Sequence, residues 1–308
     1  MSAAEREKNQ TPSRTEPAVS LLIIGCGYVG QQVARMRQSQ GNHVIALTRG
    51  GDNQTHLAQL GFETLVADWL DSAGDWHCPG IRQALVAVPH RADERWGEQT
   101  HCVGLGNLLS RLPHLERLVV LSTTGVYHQS QGEWVDEASP TQPERIGPRI
   151  ALAAERWLAE HVASGAIPCG TSLRLAGIYG PGRVPLLAKL RTGEAIPVAE
   201  GVLNLIHVTD IAQAILRLLE HPAPSQLYVL SDGQPVDRLT FYSDAAKIFQ
   251  TSAPKFTEPD PDTSRAARSQ SCKRVNPSRI LHDLQLRLTY PNHWAGLTAI
   301  AAQERSDA

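Results

Sequence analysis

The stretch Ser20-Leu-Leu-Ile-Ile-Gly25-Cys-Gly27-Tyr-Val-Gly30 decides the fold. Four consecutive apolar residues run into a glycine, the pattern of a parallel strand buried on both faces. The glycines then fall as G-x-G-x-x-G, with Tyr28 and Val29 before the third. Residues 29–40 read as a helix closed by Gly41. The glycine spacing alone is a weak signal. Between a buried strand and a helix it points to a dinucleotide pyrophosphate site. Gly25 permits the tight turn, Gly27 lets the backbone approach a phosphate, and Gly30 allows close helix–strand packing.

Further strands are predicted at 43–48, 63–67, 84–88, 118–122 and 171–175, with helices at 55–60, 96–112 and 149–163. Strand and helix alternate. That predicts an α/β fold, a doubly wound parallel (Rossmann) sheet covered by helices on both faces. After residue 177 loops rich in Pro and Gly, at 180–185, 221–225 and 253–263, separate short helices. Asp210 is predicted to open a helix through Glu220, with Gln213 completing an Asp-x-x-Gln capping box. The expected organisation is a disordered tail over 1–18, a nucleotide-binding domain over 19–177, and a smaller C-terminal substrate lobe over 178–308, interleaved with the first. Residues 254–261 are expected to form a surface loop.

Composition excludes several classes. The 308 residues carry 29 Lys+Arg and 31 Asp+Glu, a net charge of −2 that argues against a nucleic-acid partner. No apolar run is long enough to cross a membrane. The five cysteines are odd in number and show no Cys-x-x-Cys, against a disulfide framework or a zinc site. The histidines are scattered, so no metal site is predicted. The polar N-terminus has no signal-peptide core, which points to a cytoplasmic protein. There is no Gly-x-Ser-x-Gly elbow, His-Glu-x-x-His or phosphate-loop motif.

The end of the second strand selects the cofactor. Where NAD binders place a carboxylate, this chain has Leu47-Thr48-Arg49-Gly50. Arg49 can pair with a 2′-phosphate, so NADP(H) is preferred; Asp52 leaves NAD(H) open. Asp68, after the third strand, stands where such folds meet the adenine, or else caps a turn. Val88 and Pro89 should line the pyrophosphate and ribose crevice.

Four stretches together resemble the extended short-chain dehydrogenase/reductases of the NAD(P)-dependent epimerase/dehydratase family. They are Gly25–Gly30, Leu121-Ser-Thr-Thr-Gly-Val-Tyr127, Arg174-Leu-Ala-Gly-Ile-Tyr-Gly-Pro-Gly-Arg183 and Ile206-His-Val-Thr-Asp210. The chain looks like the atypical, YeeZ-type bacterial members. Leu227-Tyr-Val-Leu-Ser-Asp-Gly233 resembles the strand that closes the family's C-terminal lobe. The resemblance implies a catalytic Ser/Thr at Thr123 and a Tyr-x-x-x-Lys in the next helix. The second element is missing: the matching positions are Gly147 and Ala151. None of the six tyrosines has Lys four residues on, and the only five lysines are 8, 189, 247, 255 and 273. An ordinary Tyr, near pKa 10, is a poor base at neutral pH.

Replacement acid/base candidates are Tyr127 and His128, after the fifth strand at the ligand-binding edge of the sheet. Thr124, Tyr179, Arg183 and His207 are the substrate-side candidates; Arg183 suits an anionic group. Asp210 reads as a cap rather than a catalytic acid. The helices at 96–112 and 149–163 carry Leu105, Leu108, Leu109, Leu152, Trp157 and Leu158, and the resemblance implies a homodimer through this pair. Two functions stay open: an NADP(H)-dependent oxidoreductase or epimerase on a small polar substrate with a rearranged acid/base set, or a non-catalytic NADP(H) sensor.

Overall fold

A computed structural model describes residues 20–78, 80–197, 201–258 and 272–307. The predicted tail over 1–18 and most of 259–271 lie outside these. Seven parallel strands form the central sheet. In chain order they are β1 (Leu21–Ile24), β2 (Val44–Thr48), β3 (Glu63–Val66), β4 (Gln83–Val86), β5 (Arg117–Thr123), then strands Cys169–Leu175 and Leu227–Leu230. Their spatial order is Leu227–Leu230, Cys169–Leu175, β5, β4, β1, β2, β3. The chain winds outward from β1 in one direction, then returns to β4 on its other side. The ligand crevice of such sheets opens at this reversal, beyond the carboxyl ends of β1 and β4.

Helices cover both faces. Helix α1 (Tyr28–Ser39) packs against helix Val208–Glu220 on one side. Helices α3 (Thr100–Arg111) and α4 (Ile146–Ala163) pack on the other. Every residue of β1 is buried, as the apolar run requires. Leu21, Ile23 and Val119 point into the α1 side, and Leu22, Ile24 and Val120 into the α3–α4 side. The alternation of side chains along a strand produces this split.

The structure corrects four expectations. Leu227–Leu230 is the edge strand of the large sheet, in parallel register with Ser172–Leu175, and does not close the smaller lobe. Helix α3 starts at Thr100, not at 96, because Gly97 takes a φ of +50° and turns the chain beside Trp96. The helix expected from Asp210 begins at Val208, and its cap is His207, whose Nδ1 accepts the Thr209 N–H at 3.2 Å. Asp210 instead accepts the N–H groups of Thr289 at 2.6 Å and Tyr290 at 3.1 Å, which ties the C-terminal segment to this helix. Finally, within the predicted loop at 254–261, Phe256–Thr257 forms a short strand against Ile196–Pro197. Of the six apolar residues counted toward a dimer face, Leu105, Leu108 and Leu158 are spent in the chain's own core. Leu109, Leu152 and Trp157 are half-buried. No helix among the described residues is long and apolar enough to cross a membrane.

Candidate functional site

The glycine turn has the geometry its spacing predicts. Gly25 holds a φ of +86°, and a Cβ there would stand 2.7 Å from Val88 N, so β1 and β4 can meet only through glycine. A Cβ on Gly30 would strike the Gly25 carbonyl oxygen at 2.9 Å. Gly27 is different: a Cβ there would find nothing within 4 Å. Gly27 caps α1, yet no side chain satisfies the first N–H groups of that helix, and its first turn holds no acid. An open backbone surface at an uncapped helix N-terminus fits a pyrophosphate. Val29 is core.

Tyr28 faces elsewhere. Its hydroxyl donates to the Pro181 carbonyl at 3.0 Å, and the Arg183 guanidinium lies 5.4 Å over its ring. Burial pushes the phenol up to about 12, against the Arg183 charge. Tyr28 and Arg183 therefore join the glycine turn to the loop after strand Gly177–Tyr179. Arg49 is exposed at the end of β2, beside Gly50 and Gly51 with φ of +90° and +68°. Thr48 Oγ1 holds this turn by accepting from Gly50 N and Asn53 Nδ2. Asp68 caps a turn, taking the Leu70 N–H at 2.9 Å. Val88 lies at the reversal point, its carbonyl engaged by His101 Nε2 at 3.2 Å, and Pro89 is exposed beside it.

At the end of β5, Thr123 Oγ1 accepts the Gly125 N–H at 3.0 Å and so caps the single 3₁₀ turn Thr124–Val126. Its own proton stays available to donate. A Cβ on Gly125 would stand 3.3 Å from that oxygen and 3.2 Å from Arg145 Nη2, so hydroxyl and guanidinium are neighbours. Thr124 is half-buried in the same turn.

Tyr127 is not poised for proton transfer. It is buried, donates to the Asp136 carbonyl at 2.6 Å and accepts from Arg174 Nη1 at 2.9 Å. Burial outweighs the Arg174 charge and raises its pKa to about 12. Arg174 is itself clamped on Glu155, with Nη2 to Oε2 at 2.7 Å and Nε to Oε1 at 3.0 Å, and the Ser122 hydroxyl donates to the same carboxylate. This buried network links β5, α4 and strand Cys169–Leu175. Both its charges are hydrogen-bonded, which is the condition for burying them. His128 is exposed on the following loop.

Two substrate-side candidates lie inside the protein. Tyr179 is fully buried, its hydroxyl donating to the Asn292 carbonyl at 3.3 Å beneath helix His293–Ser306. His207 is sandwiched between Tyr290 at 3.9 Å and Tyr179 at 5.2 Å, and burial pushes its imidazole down to about 4. Both read as packing residues.

Three groups that sequence reasoning passed over stand at this edge. His90, two residues beyond Val88, stacks on His101 with ring centres 4.7 Å apart. Burial, then the His101 ring, push it down to about 3, against a hydrogen bond with the Leu121 carbonyl. Its main chain fills the space beside Gly147: a Cβ there would meet His90 O at 3.0 Å. Ala151, the other departure from the dyad, is wholly buried among Val126, Tyr127 and Val275. The remaining two, Arg238 and Lys273, are both buried cations. The position of His90 just past a crevice strand could have flagged it; nothing local marks Arg238.

The model of the NAD dependent epimerase/dehydratase family matches residues 21–231. The chain belongs to that family. It is 27% identical to protein YeeZ of Escherichia coli K12 over 287 residues, 88% of this chain and 96% of YeeZ. A functionally unknown conserved protein from Silicibacter pomeroyi DSS superposes with a TM-score of 0.79 at 30% identity, covering 93% of this chain and 99% of the other. The dTDP-glucose 4,6-dehydratase of Bacillus anthracis str. Ames, solved in complex with NAD, has a TM-score of 0.74 over 94% of this chain and 97% of its own. At 16% identity that last likeness shows the shared fold alone.

Proposed function

We propose that this protein binds a nicotinamide dinucleotide, NADP(H) in preference to NAD(H), and acts as an oxidoreductase or epimerase on a small polar substrate. The observation that carries the reading is the open Gly27 surface beneath the uncapped start of α1, at the chain reversal between β1 and β4. The Gly25–Gly30 backbone would hold the pyrophosphate, and Arg49 would pair with a 2′-phosphate. The bound dinucleotide would supply hydride transfer.

The chain's own chemistry centres on Thr123. Its hydroxyl donates to a substrate oxygen, where one well-placed donor contributes roughly 3–4 kcal/mol as charge develops. With Tyr127 held in the Arg174 network, the proton carrier nearest this edge in sequence is the exposed His128. A His-driven rate changes near its ordinary pKa of about 6.5.

The test is a fluorescence titration with NADPH and NADH, followed by a screen of NADPH oxidation against sugars, keto acids and aldehydes. Failure of NADPH to bind refutes the cofactor reading. Tight NADPH binding with no turnover favours the second reading, a non-catalytic sensor. That alternative draws on Gly147 and Ala151 standing where the family carries Tyr and Lys.

A further inference from the structure

Arg238 and Lys273 are each 7% exposed, although they are cations that ordinarily stay in water. The fold brings them together through one short strand. Val202–Leu203 pairs antiparallel with Val236–Asp237. At one end of it Gly201 O accepts the Arg238 N–H at 3.0 Å, and the Arg238 guanidinium carbon lies 3.7 Å from a Cβ position on Gly201. Just past the other end, Asn204 Nδ2 donates to the Lys273 carbonyl at 2.8 Å while its Oδ1 accepts the Val275 N–H at 2.8 Å. Arg238 is also the first residue of a helix, Arg238–Ile248, whose positive end adds to the local field. Strand Arg274–Val275 pairs with Trp134–Val135, which carries Lys273 toward the segment that follows β5.

Arg145 completes the group. It is the residue that caps α4, and its guanidinium neighbours Thr123 Oγ1 across Gly125. Burial, then the charges of Arg145 and Arg238, push the Lys273 ammonium down to about 8. Tyr242, Cys272 and Asp237 bear on Arg238 from the other side. Like charges held side by side in a half-dry wall repel one another, and an anion placed among them relieves that repulsion.

We propose that Arg145, Arg238 and Lys273 form the recognition site for an anionic group, a carboxylate or a phosphate, carried by the substrate whose reacting oxygen meets Thr123. This deepens the functional reading above and rests on it for the identity of Thr123 as the reacting end. No bond forms or breaks at the site. Its task is to orient, since charge-assisted hydrogen bonds fix a planar carboxylate or a phosphate more firmly than neutral ones.

The experiment is calorimetric titration of the full-length protein with succinate and, separately, with inorganic phosphate, at about pH 8. At least one probe should bind the wild type. Lys273→Met and Arg238→Met should each weaken it about tenfold or more, the scale of a lost charge-assisted contact. Succinate does not titrate at this pH. Its binding should therefore take up protons, read from buffers of different ionisation enthalpy, because Lys273 is partly neutral before the anion arrives and charged afterwards. Lys273→Arg should keep the binding and lose the proton uptake.

The same samples are titrated with NADPH, which reports separately on folding and on the cofactor site. If Lys273→Met does not fold, Lys273→Arg and Arg238→Lys decide through the proton count and the affinity. Succinate bound equally well by all variants, or neither probe bound by a wild type that folds, overturns the proposal. A wild type that binds succinate through Lys273 but not NADPH keeps the anion site and refutes the cofactor reading alone.

Discussion

Gly27→Ala separates binding from folding. At Gly25 and Gly30 an added methyl group collides with backbone, at 2.7 Å from Val88 N and at 2.9 Å from Gly25 O respectively. At Gly27 it meets nothing within 4 Å, and the φ of −89° lies in a range any residue adopts. The remaining cost is the weaker capping of alanine, within about 1 kcal/mol, or at most a few degrees in Tm. The same methyl group would stand between the backbone and a pyrophosphate. Losing one N–H to phosphate hydrogen bond costs roughly 1.5–3 kcal/mol, so Kd for NADPH should rise roughly 10- to 150-fold. Differential scanning fluorimetry and NADPH fluorescence titration on the same preparation read the two effects. Gly25→Ala is the contrast, losing stability first because it adds a left-handed φ to the collision. Wild-type affinity in Gly27→Ala would mean that no phosphate lies over this turn. A melting loss as large as that of Gly25→Ala would mean that the space is not open.

Arg49→Ala should weaken NADPH binding far more than NADH binding; equal losses in paired titrations remove Arg49 from the 2′-phosphate role. Tyr127→Phe deletes the hydroxyl between Arg174 and the Asp136 carbonyl, and should lower stability by about 1–3 kcal/mol in urea unfolding. It should leave the pH profile of any turnover unmoved, and a vanished turnover in folded protein would restore Tyr127 as an acid. Burial, opposed by the Gln234 N–H and aided by Asp210, pushes the Asp232 carboxyl up to about 7. The folded state then holds this proton to higher pH than the unfolded chain, so the associated stability is full below about pH 4 and is lost as pH rises through about 7. Asp232→Asn should therefore flatten the fall in Tm between about pH 5 and 8; an unchanged slope counts against it. A homodimer through α3 and α4 is tested by light scattering, and with Leu105, Leu108 and Leu158 already in the core, a monomeric mass would end that expectation.

What could be read from the sequence was what depends on neighbours in the chain. Four apolar residues before Gly25 gave a strand buried on both faces, and the glycine spacing gave the turn, because both signals sit within eleven residues. The loss of the Tyr-Lys pair was equally legible, since a chain with five lysines can be searched one by one. The errors came where a residue answers to a distant partner. Asp210 looked like a cap because its sequence context offers one, but its carboxylate is committed to Thr289 and Tyr290, some 80 residues away. Helix 208–220 could start two residues earlier because an imidazole, an uncommon cap, serves there. Tyr179 and His207 looked accessible on a Gly/Pro loop and beside a helix start until the last helix covered them. Lys273 shows the same limit from the other direction. It was counted as one lysine of five and dismissed for lacking a tyrosine four residues before it. Its place beside Arg238 is set by Asn204, 69 residues upstream, which grips the chain on either side of Arg274. Local patterning thus specifies the half of the site that would hold a cofactor. The half that would choose a substrate is assembled from contacts between segments, and there the functional residues carry no motif at all.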